Sequence, residues 1–271
     1  MTKILIENAL RQVIVNKNMH EIALRDGHVH QRENKFTGPM APLLPNCWAQ
    51  VKTTYPFGRY KNIDLVSFLV PVTNGEKPKN ISGSSPNIKW ALEAKHYSPH
   101  QNATLQTFLN YSLYGPVSDL FKLIDCGFKK NYILQLQTEI TDFTIHPYSS
   151  YITLMNTFPF FSIYLGVTEP TARANIATIV AQNRLQELEQ FSRNALDQNL
   201  IYNNMSSDVR DKVADVKVTI HYLISGPFDR VSLVRRLNRQ GYNPSCPYRD
   251  QAIERKQVFK AKLQIESATE M

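Results

Sequence analysis

Apolar positions along the chain switch between two periods, and the switches divide it into elements. Over residues 3–15, Ile4, Leu5, Ala9, Val13 and Ile14 sit at helical spacing, which predicts an opening amphipathic helix. Residues 26–59 mix Gly, Pro, His and polar groups without a period and read as irregular connection. Within them Pro39, Pro42 and Pro45 lack a donor and clash with a preceding turn, so 38–45 is not expected inside a helix. Residues 63–70 are apolar except for Asp64 and Ser67, the profile of a strand buried on both faces. A polar loop over 73–87 leads to a second strand at 88–94.

From Pro99 onward, Leu105, Phe108, Leu109, Leu113, Val117, Leu120 and Phe121 predict helix, with Gly115-Pro116 breaking it in two. Residues 132–140 alternate as a strand does, and 151–155 and 160–167 are further strand candidates. A helix from Pro170 to about residue 199 follows, then a polar break at 203–207, a strand at 213–224, a helix at 228–239 and a strand at 258–265. The expected fold class is α/β: a central mixed sheet flanked by helices over 1–206. A basic strand–helix–strand segment over 207–271 is either an appendage or integral to the same domain.

Composition adds a partner class to this outline. Apolar residues make up 42 % and charged residues 20 %, as in globular proteins with a real core. The net charge of +8 favours an anionic partner, nucleic acid or membrane surface, without choosing between them. Cys47, Cys126 and Cys246 form no CxxC pair, which argues against a zinc ribbon or iron–sulfur cluster and suits a reducing compartment. Each is expected as a small buried side chain. The first residues have no signal-peptide pattern, and the richest apolar run, 158–167, is too short to span a bilayer. The expectation is a soluble cytoplasmic protein without membrane contact.

The candidate chemistry lies where the two apolar strands carry charge. Asp64 begins the first strand, and Glu93 and Lys95 follow on the second after twenty-eight intervening residues. Side chains two apart on a strand share a face, so Glu93 and Lys95 project together, opposite Trp90, Leu92 and Ala94. If the strands pair across the 73–87 loop, two carboxylates converge on one hard cation with a lysine beside them. Magnesium accepts such a site, since it takes oxygen ligands and keeps several waters. A metal there polarises a phosphoryl group and acidifies bound water, while the lysine stabilises charge or positions the attacking water.

On these residues the chain resembles the PD-(D/E)XK phosphodiesterase superfamily, which includes many type II restriction endonucleases. Asp64, Glu93 and Lys95 match its pattern position by position, and Ala91-Leu92-Glu93-Ala94-Lys95-His96 resembles the second half of the motif. The preceding proline is absent, with Ile63 in its place. The resemblance implies a restriction-endonuclease-like core and a Mg2+-dependent deoxyribonuclease acting in restriction or defence. It implies Asp64 and Glu93 on the metal, Lys95 beside them, DNA as partner and a homodimer.

His96 adjoins the centre and is a candidate phosphate contact, as are Arg230, Arg235, Arg236 and Arg239 on a helix with Val231, Val234 and Leu237 as its apolar face. Glu7 or Glu21 could supply a further acid. The competing readings are a solvated Glu93–Lys95 pair with Asp64 capping a turn, a non-catalytic nucleic-acid-binding or assembly protein, and a recombination or repair nuclease.

Overall fold

A computed structural model of the chain describes residues 1–16, 33–72, 77–97, 115–140, 218–255 and 257. Its elements are α1 (Thr2–Asn16), α2 (Asn34–Met40) running into a 3-10 turn (Ala41–Leu43), β1 (Cys47–Thr53), β2 (Lys61–Phe68) and β3 (Ile88–Tyr97). Then come α3 (Gly115–Asp125), β4 (Lys130–Ile140), β5 (Val218–Asp229) and α4 (Arg230–Arg239). The five strands form one mixed sheet in the order β1-β2-β3-β4-β5. β3 and β4 run parallel, with α3 between them in the chain, and every other neighbouring pair is antiparallel.

Each face of the sheet is covered by its own core. On one side Ile6, Ala9, Leu10 and Val13 of α1 and Phe36 and Met40 of α2 pack on Leu65, Trp90, Leu92, Ala94, Tyr132 and Leu134. On the other, Val117, Leu120, Phe121 and Ile124 of α3 and Leu237 of α4 pack on Val66, Ala91 and Ile133. Phe121 is fully buried and meets Tyr242 edge-on at 5.8 Å. Burying one such side chain contributes about 1.5–3 kcal/mol. From Trp90 onward the two cores take alternate residues of β3, and they do so along β4, as the two-residue period of a strand requires; Ile88, beyond the register shift at Ser67/Phe68, lies on the α3 side.

The β2–β3 ladder stops short. It pairs Ser67 with Trp90, Val66 with Ala91 and Leu65 with Leu92, and goes no further in that direction. Past that point β2 remains bonded to β1 as far as Lys61 and β3 remains bonded to β4 as far as Tyr97. The sheet therefore forks, with Asp64 and Glu93 the first residue of each prong. A second irregularity coincides with it. Trp48 and Val51 both pack in the α3-side core, as do Ile63 and Val66, so the alternation slips by one between them. Gln50, at the slip, has a left-handed backbone (φ +52°).

Several boundaries differ from expectation for identifiable reasons. The stretch read as irregular contains α2 and β1. Pro39 lies inside α2, but a seven-residue helix has few internal bonds to lose, and the complete burial of Phe36 and Met40 offsets it. The buried stripe of α1 is Ile6, Ala9, Leu10 and Val13, while Ile4 and Leu5 are exposed. α3 begins at Gly115, and Pro116 sits in its first turn, where a missing N–H costs nothing. β5 extends to Asp229, and α4 starts on Arg230, capped by the Asp229 side chain accepting from Ser232 N at 2.8 Å. α4 presents Leu233, Val234 and Leu237 inward, and Val231 is exposed. Cys246 is exposed and Cys47 half-buried, so only Cys126 is the buried thiol expected of all three. The strands expected at 151–155, 160–167 and 258–265 and the helix at 170–199 lie outside the described residues, as does the helical stretch 98–114. Among the described residues no helix is long and apolar enough to cross a membrane.

Candidate functional site

The fork gathers charge from four elements. Asp64 is buried, and both carboxylate oxygens are engaged: Gln50 Nε2 donates to Oδ1 at 2.6 Å and the Ala94 N–H to Oδ2 at 2.8 Å. Gln50 Nε2 also reaches Asn34 Oδ1 at the start of α2. A charged group inside an apolar strand needs such partners. Ser67, the other polar interruption of β2, donates to the Pro45 carbonyl at 3.0 Å.

Glu93 and Lys95 share the face of β3 that looks toward α3, while Trp90, Leu92 and Ala94 pack on the other face. α3 answers them with Asp119 and Lys122, one helical turn apart. Lys122 Nζ lies 2.7 Å from Glu93 Oε2, and Lys95 Nζ lies 2.8 Å from Asp119 Oδ2 and 3.4 Å from Glu33 Oε1. Lys122 is also 3.9 Å from Asp119 Oδ1. Glu93 Oε1 is buried and has no hydrogen-bond partner among the described residues.

Electrostatics follow from the imbalance. Among the described residues Glu33, Asp64, Glu93 and Asp119 face Lys95 and Lys122, a formal surplus of two negative charges when all are ionised. Burial, with the charges of Asp64 and Asp119 added, pushes Glu33 up to about 7 against the pull of Lys95. Burial raises Glu93 well above the ordinary carboxylate value, and the Lys122 ammonium only partly counters it. Burial works against the charge on Lys95, but Asp119 and Glu33 outweigh it and hold its pKa above the ordinary lysine value. Lys122 is held protonated in the same way by Glu93 and Asp119. Glu33 and Glu93 thus hold protons more tightly than free carboxyls do, and the lysines remain cations.

The expected site residues fare unequally. Asp64, Glu93 and Lys95 stand at one fork, but the ion-pair partners of Lys95 are Asp119 and Glu33. His96 points into the other face, 1 % exposed and edge-on to Phe36 at 5.2 Å, so it is a core residue there and not a surface contact for phosphate. Arg230 Nε donates to the Ile124 carbonyl and helps hold α4 against α3. Arg235, Arg236 and Arg239 are exposed. Glu7 binds the Tyr222 hydroxyl (2.8 Å) and Arg11 (3.0 Å), away from the fork. Glu21 lies outside the described residues.

Four cluster members carried little sequence signal. Asp119 and Lys122 interrupt the mostly apolar stretch 116–126 at three-residue spacing, a charged row that Asp125 continues on a largely buried helix. Glu33 and Gln50 arrive through tertiary contact and the fork, and no local pattern identifies them.

The donor set is one of hard carboxylate oxygens, and with the unpartnered Glu93 Oε1 and the surplus negative charge it suits a divalent cation of the magnesium type. Among the described residues no three His, Cys, Asp or Glu side chains are already gathered as a metal cage. The class defined by fold and site is an α/β protein whose central mixed sheet forks around a buried carboxylate–lysine cluster. No protein-family model matches the chain, and no curated protein or solved structure is significantly similar to it.

Proposed function

We propose that the protein is a Mg2+-dependent nuclease hydrolysing phosphodiester bonds in DNA, on a restriction-endonuclease-like core. One observation carries this reading. The β2–β3 ladder ends at Leu65/Leu92, and the first residues beyond it are Asp64 and Glu93, buried carboxylates on separate prongs with one Glu93 oxygen unpartnered. On this reading Asp64 and Glu93 hold the metal, which supplies Lewis-acid activation of the phosphoryl group and an acidified water. Lys95, kept protonated by Asp119 and Glu33, acts as a fixed positive charge toward the phosphoryl oxygens and not as a proton acceptor. Lys122 holds the Glu93 carboxylate in place. Homodimeric action and a role in restriction rest on the family resemblance alone.

Purified protein, plasmid DNA and Mg2+ provide the test, beside Glu93→Ala and Lys95→Ala. Cleavage that needs the metal and falls about 10²-fold or more in each variant is expected. Equal cleavage by all three proteins refutes the assignment. The paired state of Lys95 favours a second reading, in which the cluster is a structural ion-pair network inside a non-catalytic nucleic-acid-binding protein. DNA retardation without metal-dependent cleavage is its signature.

A further inference from the structure

The turn that joins β1 to β2 bounds an open groove of about 540 Å3 lined by Lys52, Thr54, Tyr55, Gly58, Arg59 and Tyr60. We infer that this groove binds a nucleotide of an unpaired nucleic-acid strand, with the base on the Tyr60 ring and the phosphates on Lys52 and Arg59. The inference deepens the nuclease reading by naming the substrate class, and for its catalytic meaning it rests on that reading.

The chemistry comes from a combination that a purely solvated turn does not need. Tyr60 is 47 % exposed and Phe57 40 %, two large rings left at the surface within four residues. Lys52 Nζ stands 4.6 Å from the Tyr60 ring centroid, and Lys61 Nζ 4.9 Å from that of Tyr55. Flat rings beside cations are what a nucleotide uses, since every base has a stackable face and every linkage a negative charge. Residues 34–63 contain Lys35, Lys52, Arg59 and Lys61 and no Asp or Glu, so every charge on this segment itself is positive, with Asp125 meeting the groove from beneath through Tyr55.

The groove has a built floor. Tyr55 is fixed by its hydroxyl, which donates to Asp125 Oδ2 at 3.3 Å, and Thr54 is tied to the Ile81 carbonyl through its N–H (2.8 Å) and its hydroxyl (3.2 Å). Gly58 has a backbone (φ +148°) that side chains rarely adopt, and a Cβ there would face open space. Position links the groove to the cluster. Tyr60 precedes Asp64 by four residues on nearly extended chain, about 13 Å, and Lys122 Nζ contacts both the Asn62 carbonyl (3.3 Å) and Glu93 (2.7 Å). A strand seated on Tyr60 and followed along β2 meets the fork.

Fluorescein-labelled twenty-nucleotide oligothymidylate and oligouridylate, titrated with the full chain in EDTA and read by anisotropy, test the proposal without turnover. Tyr60→Leu is expected to weaken binding about five- to a hundred-fold, with Tyr60→Phe close to wild type. The Lys52→Ala/Arg59→Ala pair is expected to flatten the slope of log K against log salt by about 1.4. The two probes show whether either sugar is preferred. Unchanged thermal midpoints keep the variants interpretable, because all three side chains lie at the surface groove.

Tyr60→Leu binding within two-fold of wild type overturns the proposal, as does a wild-type protein that binds anionic lipid vesicles but neither oligonucleotide. Failure of the nuclease reading looks different: Tyr60-dependent binding persists, and with Mg2+ neither the plasmid nor the single-stranded oligonucleotides are cleaved. Cleavage that needs Glu93, with binding indifferent to Tyr60, refutes the groove alone.

Discussion

Replacing Lys122 by methionine isolates the electrostatics of the fork. Methionine keeps much of the volume of the buried stem and removes the ammonium 2.7 Å from Glu93 Oε2. The remaining carboxyl, 2 % exposed, then loses the cation it contacts, keeps only the more distant Lys95, and escapes by keeping its proton. A carboxyl held neutral in the folded state costs about 1.36 kcal/mol for each pH unit above its unfolded value. With that value at 4.5, the ceiling on the added penalty is about 1.4 kcal/mol at pH 5.5 and about 4 kcal/mol at pH 7.5, because the raised pKa of Glu93 in the wild type already carries part of it. The upper figure agrees with the roughly 3–5 kcal/mol lost when one partner of a buried pair is removed. A raised folded pKa contributes stability below the unfolded value and loses it as pH rises, so Lys122→Met should be a mild variant in acid and a severe one above neutrality. Urea denaturation in EDTA, followed by the fluorescence of Trp48 and Trp90, measures both. Adding Glu93→Gln should restore most of the loss at pH 7.5, because a carboxamide does not titrate. An equal penalty at the two pH values, or a larger one at pH 5.5, refutes the argument.

Two further outcomes follow from the same cluster. Glu33, pushed up to about 7 by burial and neighbouring acids, withdraws stability as pH climbs from about 5 through 7. Glu33→Gln should therefore show a smaller fall in thermal midpoint between pH 5 and 8 than wild type, and an identical fall contradicts the assignment. On the nuclease reading, Mg2+ at ten times its Kd should stabilise the wild type by about 1.4 kcal/mol at pH 7.5 and leave Asp64→Asn unmoved. The same shift produced by NaCl at matched ionic strength points to screening and removes the metal from the explanation.

The sheet was legible where burial was uniform. β2 and β3 are covered on both faces, so their apolar runs stood out, and the Glu93–Lys95 face followed from the period alone. β1 was hidden because Cys47-Trp48-Ala49-Gln50-Val51-Lys52-Thr53 belongs to an edge strand, partly exposed and turned over at Gln50. α2 was hidden behind its own glycine and proline, whose local preference tertiary burial of Phe36 and Met40 overrides. For the site, the residues on one strand pair were readable, and those delivered across the fork by α2 and α3 were not. Helix faces were readable in kind but misplaced by a fraction of a turn: α1 buries Ile6 where the pattern singled out Ile4 and Leu5, and α4 leaves Val231 exposed.

The hydrogen bond from the Ala94 N–H to Asp64 Oδ2 means that a side chain completes the sheet at the point where its backbone ladder gives out. Asp64 is therefore at once a seam in the scaffold and a candidate reactive group, and an alanine scan would confuse the two. Alanine there strands a buried donor, at about 1–3 kcal/mol, whatever the chemistry of the site. Asparagine keeps an acceptor for that donor and deletes the charge, and its amide nitrogen replaces the acceptor for Gln50 Nε2, whose own amide can turn over to meet it. The amide variant is thus the one whose phenotype can be read as function, and the difference between it and alanine measures how much of Asp64 belongs to the fold.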